Sequence, residues 1–198
     1  MRQVGGRRSG KGRHHRREFR ASNACANLFE AAGCGIGDRI GVCLPQSLET
    51  AVAHIAAFKI GAISIPLFTL FGAEALEHRL RDAGAKAVLT NAEGVAKLNT
   101  IRDRLPALTH IFSTEPGDGV FDFGRELSLQ PVSYEARRTR ADDPALIIYT
   151  SGTTGLPKGA LHAHRVLLGH LPGVEMAYDL FPKPKDRIWT PADWAWIG

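Results

Sequence analysis

The sequence has little of what marks an exported protein. Its 198 residues include three cysteines, Cys25, Cys34 and Cys43, an odd number with no metal-ligand spacing. This argues against a disulfide-stapled secreted domain, and we expect reduced thiols that serve only the fold. The N-terminal stretch has no apolar core of the kind a secretory signal requires. The sequence therefore predicts a cytoplasmic protein.

Long uninterrupted hydrophobic runs are also absent. The most apolar stretch, residues 51–76, is broken by His54, Lys59 and Pro66. The uninterrupted portion is shorter than the roughly 20 residues that a membrane-spanning helix needs. We expect a buried helix, strand and loop here and no transmembrane segment.

Acidic residues are nearly missing from the start of the chain. Residues 1–20 hold eight Arg or Lys and one acid, whereas the remainder holds 17 basic and 19 acidic residues. The basic character of the protein thus belongs to a segment without apolar periodicity, and we interpret residues 1–21 as a disordered basic tail. Such a tail is either a solvated extension or a polyanion-binding arm. No nucleic-acid-reading motif follows it, so we expect no nucleic-acid partner.

From residue 22 onward, short apolar runs alternate with helical patterns. Helices are predicted to begin at Ser22 and Ser47 and, around Leu76 and Leu80, to end at Gly84. Another is predicted to begin after Asn91 and to carry Val95, Leu98, Ile101 and Leu105. Strands are predicted at residues 40–44, 62–65, 87–90, 109–112 and 145–149. This alternation predicts an α/β fold, with a layered, mostly parallel sheet and helices on both faces.

Two further stretches complete the prediction. Residues 113–142 are polar and indicate an exposed connection. After residue 165, a helix is predicted to be interrupted by Pro172 and to resume before a last strand at residues 187–190.

The chemistry concentrates in residues 143–164, DPALIIYTSGTTGLPKGALHAH. A strand leads into a loop of hydroxyl residues and glycines, which can aim N–H and O–H groups at an anion. Lys158 adds a mobile positive charge suited to phosphate. The loop is not a Walker A motif, because Pro157 precedes the lysine and Gly159 follows it. The plain alternative is an ordinary polar loop between two strands.

The ordered string YTSGTTGLPKG is more specific than its composition. It resembles the phosphate-binding signature of the adenylate-forming superfamily, which includes acyl-CoA synthetases, luciferases and nonribosomal peptide adenylation domains. Residues 38–68, DRIGVCLPQSLETAVAHIAAFKIGAISIPLF, and residues 190–198, TPADWAWIG, are also similar to segments of that superfamily. The resemblance covers residues 22–198, which form part of a large N-terminal domain in the acyl-CoA synthetase branch.

The resemblance implies a two-step reaction. A carboxylic acid attacks ATP to form an acyl-adenylate, and coenzyme A then takes the acyl group, so ATP, Mg²⁺ and coenzyme A are the implied cofactors. The residues implied to bind the β- and γ-phosphates are Thr150, Ser151, Gly152, Thr153, Thr154, Gly155 and Lys158.

Two aromatic groups have open assignments. The resemblance implies that Trp196 forms a wall of the acyl pocket, which suits a fatty or aryl acid; alternatively, Trp194 and Trp196 belong to the core. His162 and His164 alternate on a strand and share a face. No further ligand is spaced to complete a zinc site with them, so we expect packing or hydrogen-bonding roles and assign no metal ligands.

The sequence differs from members of the superfamily in the motifs that it does not contain. It has no counterpart of the later adenine motif, the magnesium-binding glutamate, the ribose-binding aspartate, the hinge or the C-terminal domain with its lysine. We therefore assign no catalytic residue and expect this chain to complete neither half-reaction alone. The alternatives are an amino-acid adenylation fragment, a non-catalytic phosphate- or nucleic-acid-binding protein, and a gene remnant. No oligomeric state is implied.

Overall fold

The structure is a computed structural model that describes residues 11–150, 155–184, 186–187 and 193–194, with side chains from Arg17 onward. The helices are α1 (Lys11–Ala31), α2 (Leu48–Lys59), α3 (Ala73–Ala83), α4 (Ala92–Asn99), α5 (Phe123–Ser128) and α6 (Val166–Ala177). The strands are β1 (Arg39–Cys43), β2 (Ile63–Pro66), β3 (Ala87–Thr90), β4 (His110–Ser113), β5 (Phe121–Asp122), β6 (Pro144–Thr150) and β7 (Lys158–Ala163).

The seven described strands form one sheet in the order β5-β4-β3-β1-β2-β6-β7. All neighbouring pairs are parallel except β6 and β7, which form an antiparallel hairpin at one edge. Parallel strands need long crossovers, and the helices between β1, β2, β3 and β4 supply them. The predicted α/β architecture with a mostly parallel sheet is confirmed.

Helices cover the sheet on both faces because side chains in each strand alternate sides. In β1, Ile40 and Val42 pack with α1, α2 and α5, and this cluster includes the fully buried Phe29. Cys43 points to the other face, where α3 and α4 contribute Leu76, Leu80 and Leu98. The prediction of helices on both faces of the sheet is therefore confirmed.

Polar side chains cap the helices as the sequence predicts. The Ser47 hydroxyl accepts a hydrogen bond from the Thr50 N–H, and the Asn91 side chain accepts one from the Gly94 N–H. Gly84 ends α3 with φ of 59°, in the left-handed region that favours glycine.

The first helix begins earlier than predicted. α1 starts at Lys11 rather than Ser22, so residues 11–21 of the predicted tail are helical. Arginine and lysine are good helix formers, and Phe19 provides a local anchor because the Lys59 ammonium lies 4.2 Å from its ring centroid. The division into a tail and a folded region stays a prediction, and residues 1–10 lie outside the described part.

Three local predictions differ from the structure. The connection at residues 113–142 contains β5 and α5, and Phe123 is buried against the α1 side of the sheet. The helix after Asn91 ends at Asn99, followed by a short 3₁₀ turn. Pro172 lies inside a continuous α6 rather than interrupting it. Packing explains α5, since a buried aromatic ring outweighs a polar local composition.

The three cysteines are free and buried. Burial raises the pKa of all three thiols, to about 11 for Cys34 and Cys43. Thiols of this kind are poor nucleophiles at neutral pH. Among the described residues, no helix is long and apolar enough to cross a bilayer.

Gly94 offers a test of how closely α4 packs on the sheet. A Cβ here would lie 1.8 Å from Oγ1 of Thr90, a hydroxyl that donates to the Cys43 carbonyl at 2.9 Å. Alanine normally stabilises a helix by about 1 kcal/mol relative to glycine. We expect Gly94→Ala instead to lower the free energy of unfolding by about 1–3 kcal/mol, measured by urea denaturation.

The control is Gly35→Ala, where a Cβ would meet nothing within 4 Å and little change is expected. Gly94→Ala should also cost less in a Thr90→Ala background, because the obstructing hydroxyl is gone. An equal cost in both backgrounds would contradict the steric explanation.

His54 couples stability to pH. Its Nδ1 lies 2.7 Å from Oγ of the fully buried Ser64, and burial lowers its pKa from 6.5 to about 4. Below pH 6.5 the unfolded chain binds a proton at His54 that the folded chain does not bind. The contribution of the neutral, buried His54 to the free energy of unfolding is therefore complete above pH 6.5 and is lost as pH falls toward 4.

We expect the free energy of unfolding to fall by about 1–2 kcal/mol more in the parent than in His54→Asn between pH 7 and pH 5. Asparagine can keep the hydrogen bond to Ser64 but does not titrate. Urea denaturation at both pH values measures the difference, and equal losses in the two proteins would refute the role of His54.

Candidate functional site

The candidate site lies at the turn end of the β6–β7 hairpin. Thr150, the last residue of β6, is the cross-strand partner of Lys158, the first residue of β7. Residues 151–157 form the connection between them. Thr150 and Lys158 are both exposed. Both described ends of the connection are therefore open to solvent.

The predicted phosphate-binding residues divide into two groups. The structure places Thr150, Gly155 and Lys158 at the hairpin end. The other four lie outside the described residues: Ser151, Gly152, Thr153 and Thr154. The phosphate-binding role of the whole set stays a prediction.

At two positions of the hairpin end, the structure favours glycine over any residue with a side chain. Gly155 has a φ of 94°, which residues with a side chain rarely adopt. A Cβ there would meet nothing within 4 Å, so the constraint at this position is the backbone angle and not packing. Gly159 pairs with Tyr149, and a Cβ there would lie 2.9 Å from Cγ2 of Ile147 and 3.2 Å from Cζ of Tyr149. Gly159 thus leaves room for the tyrosine ring across the hairpin.

Helix α3 contacts both flanks of the loop, which sequence reasoning missed. Nε2 of His78 donates to the Pro157 carbonyl at 2.7 Å. The Tyr149 hydroxyl donates to Oδ2 of Asp82 at 2.6 Å, and its oxygen is 3.1 Å from the Arg79 carbonyl. The i, i+4 spacing of His78 and Asp82 was the available signal, but nothing in the sequence says that this helix face meets the hairpin.

Tyr149 is held in its protonated form. Burial raises its pKa, and the hydrogen bond to Asp82 raises it further. The guanidinium of Arg79, a residue only 7% exposed, lies 3.9 Å from the Phe71 ring centroid and 5.7 Å from that of Tyr149. The tyrosine therefore remains a hydrogen-bond donor, set in an aromatic and cationic environment beside the loop.

His162 lies on the hairpin face opposite to that of Tyr149, because side chains alternate along a strand. His162 pairs with Leu146, and the His164 ring makes an edge-on contact with Phe58 of α2 at 6.0 Å between centroids. Nε2 of each histidine is buried without a hydrogen-bond partner in the described part of the chain. Ring packing is thus observed for His164. The described residues contain no group of three or more His, Cys, Asp or Glu that could hold a metal ion.

The predicted acyl-pocket wall, Trp196, lies outside the described residues, as does the predicted strand beyond Arg187. Trp194 is described and is 46% exposed, so it is not a core side chain. It borders a cavity of about 520 Å³ beside the start of α2, together with Ser47, Leu48 and Ile55. Among the described residues, none of those that line the cavity belongs to the β6–β7 hairpin.

Comparison with known proteins gives concordant matches. The sequence profile of a family described as AMP-binding enzyme matches residues 15–198. An acetyl-coenzyme A synthetase from Bacillus subtilis is 32% identical over 181 residues, covering 89% of this chain and 31% of the relative. The chain therefore spans about a third of the length of the curated relatives it matches.

Solved structures agree with this. The anthranilate CoA ligase AuaEII, in complex with anthranoyl-AMP, superposes with a TM-score of 0.76 at 31% identity, covering 80% of this chain and 32% of that one. The N-terminal domain of FACL13 from Mycobacterium tuberculosis, with an inhibitor bound, has a TM-score of 0.78 at 28% identity, covering 90% and 44%.

The profile match extends over nearly the whole chain. The chain belongs to the AMP-binding enzyme family.

Proposed function

We propose that this chain is the polyphosphate-binding part of an AMP-forming acyl-CoA synthetase. The observation that carries the proposal is that Thr150 and Lys158 are exposed cross-strand partners at the two ends of the segment whose sequence contains the glycines and hydroxyls. The names of the relatives favour the acyl-CoA branch over amino-acid adenylation, since they are acetyl-CoA synthetases and CoA ligases.

In the proposed reaction, a carboxylate oxygen attacks the α-phosphorus of ATP and pyrophosphate leaves with the electron pair of the broken P–O bond. The sulfur of the coenzyme A thiol then attacks the acyl carbon of the adenylate. The thioester forms, AMP leaves with the electron pair of the broken C–O bond, and the thiol proton passes to solvent. Negative charge accumulates on the departing phosphates, so positioned donors and cations lower the barrier. The Lys158 ammonium would neutralise the β- and γ-phosphates, and the loop hydroxyls and N–H groups would donate to their oxygens.

Mg²⁺ enters this proposal with the nucleotide. It commonly binds through substrate phosphate oxygens and keeps several waters. The chain's own contribution is therefore to hold the MgATP polyphosphate, with no step assigned to a metal site on the protein. For the acid, Trp196 is proposed as an apolar wall that suits a fatty or aryl chain and excludes water from the adenylate.

Removing the Lys158 ammonium should weaken polyphosphate binding. We expect Lys158→Ala to raise the dissociation constant for ATP and for inorganic tripolyphosphate about tenfold, which is about 1.4 kcal/mol. Isothermal titration calorimetry of the 198-residue chain, with and without Mg²⁺, measures both ligands.

The matched control is Lys183→Ala, which removes an exposed lysine that pairs with Asp179 in the segment after α6. It should leave both dissociation constants unchanged. Equal weakening by the two substitutions would indicate only a general charge effect, and no measurable binding by the parent would refute the proposed function.

The chain alone should not catalyse acid activation, because its relatives are about three times longer. We expect no acid-dependent exchange of labelled pyrophosphate into ATP with acetate, octanoate or benzoate. Exchange above the level of a Lys158→Ala control would show that the 198-residue chain carries more of the active site than we propose.

A further inference from the structure

The loop end of the β6–β7 hairpin has little support from the sheet. The register between β2 and β6 joins Ser64 to Leu146, four residues before the end of β6. On the other side, β7 is the last described strand of the sheet. Residues 147–150 and 158–161 therefore extend beyond the paired part of β2 as a two-stranded ribbon, which is marginal by itself.

Helix α3 supplies the missing support at two points. Its His78 and Asp82 are one turn apart and share a face. His78 donates a hydrogen bond to the carbonyl of Pro157, the residue before Lys158. Asp82 accepts one from the hydroxyl of Tyr149, the residue before Thr150. Because Thr150 and Lys158 are cross-strand partners, the two contacts fix both ends of the loop at the same level of the hairpin.

The chemistry of each contact is unambiguous. A carbonyl oxygen only accepts, so Nε2 of His78 carries the proton, as it does in the charged ring and in one neutral tautomer. The Tyr149 hydroxyl donates to a carboxylate, which is a charge-assisted bond. A side chain at position 159 would block the tyrosine ring, since a Cβ there would lie 3.2 Å from Cζ.

We infer that His78, together with the Tyr149–Asp82 pair, is a positioning device that holds the two flanks of the phosphate loop, Pro157 and Tyr149, in place before nucleotide arrives. This inference rests on the proposed function, because such positioning matters only if the loop binds polyphosphate. Flanks that are already fixed lower the entropic cost of ordering the loop around that ligand. His78 and Asp82 do not touch the nucleotide in this proposal; they act through Pro157 and Tyr149.

The test compares a variant that loses the donor with one that keeps it. His78→Leu removes the N–H, whereas His78→Gln places an amide nitrogen near the position of Nε2. Tyr149→Phe removes only the hydroxyl. His170→Leu is the matched control, since His170 is exposed on α6 and its Nδ1 contacts the Val166 carbonyl within the same helix.

The first measurement needs no ligand. Hydrogen exchange of the free 198-residue chain, followed by mass spectrometry of peptides covering residues 147–161, reports the order of the hairpin end. We expect exchange there to accelerate at least about fivefold in His78→Leu and Tyr149→Phe, because the loss of one hydrogen bond costs roughly 1 kcal/mol. Exchange in His78→Gln and His170→Leu should match the parent.

The second measurement is tripolyphosphate affinity by calorimetry. His78→Leu and Tyr149→Phe should bind roughly threefold to tenfold more weakly than the parent, with His78→Gln close to it. Peptides from β1 and β3 should keep their parental exchange in every variant, which separates local loosening from general destabilisation.

Three results would overturn the inference: unchanged exchange at residues 147–161, equal behaviour of His78→Gln and His78→Leu, or faster exchange with unchanged affinity. If the parent itself fails to bind tripolyphosphate, the proposed function fails, and the exchange data still decide whether α3 orders the hairpin end. The two failures are thus distinguishable.

Discussion

The loop end of the β6–β7 hairpin is joined to the rest of the chain by a hydrogen bond from outside its own sheet. The Tyr149 hydroxyl reaches Asp82 of α3 at 2.6 Å, at a point where β6 has already passed its register partner in β2. A loop of glycines and small hydroxyl residues has high conformational entropy. The proposed function asks this loop to present several donors to one anion, which requires that its ends be held by a stiffer element. In the described part of the chain, α3 contacts both ends.

The position of α3 follows in turn from the sheet beneath it. Gly41 of the central strand β1 has no side chain, and a Cβ there would lie 3.1 Å from atoms of Leu67, Leu80 and Val88. A larger residue would lift the helix from the sheet. Leu76 and Leu80 of α3 are 1% exposed, so the helix is anchored by burial. By contrast, the Arg81–Glu77 pair is partly solvent-exposed and adds little.

Local signals in the sequence predicted much of this architecture. Ser47, Asn91 and Gly84 mark helix ends because their side chains or backbone freedom satisfy groups that every helix end leaves open. Strand β3 was predicted with its observed bounds, since a short run of apolar residues lies between turn signals. The errors arose where distant contacts outweigh composition, as with Phe123 of α5, which is buried in a stretch that looks polar.

The sequence by itself determined the fold class, the family resemblance and the identity of the candidate phosphate loop, because these depend on residue order and on spacing along the chain. Only the tertiary structure decided that His78 and Asp82 meet the two flanks of that loop. The contacts join residues 67 and 79 positions apart. No local periodicity encodes such a pairing, since it depends on how closely α3 packs over Gly41 and on which strand lies at the edge of the sheet.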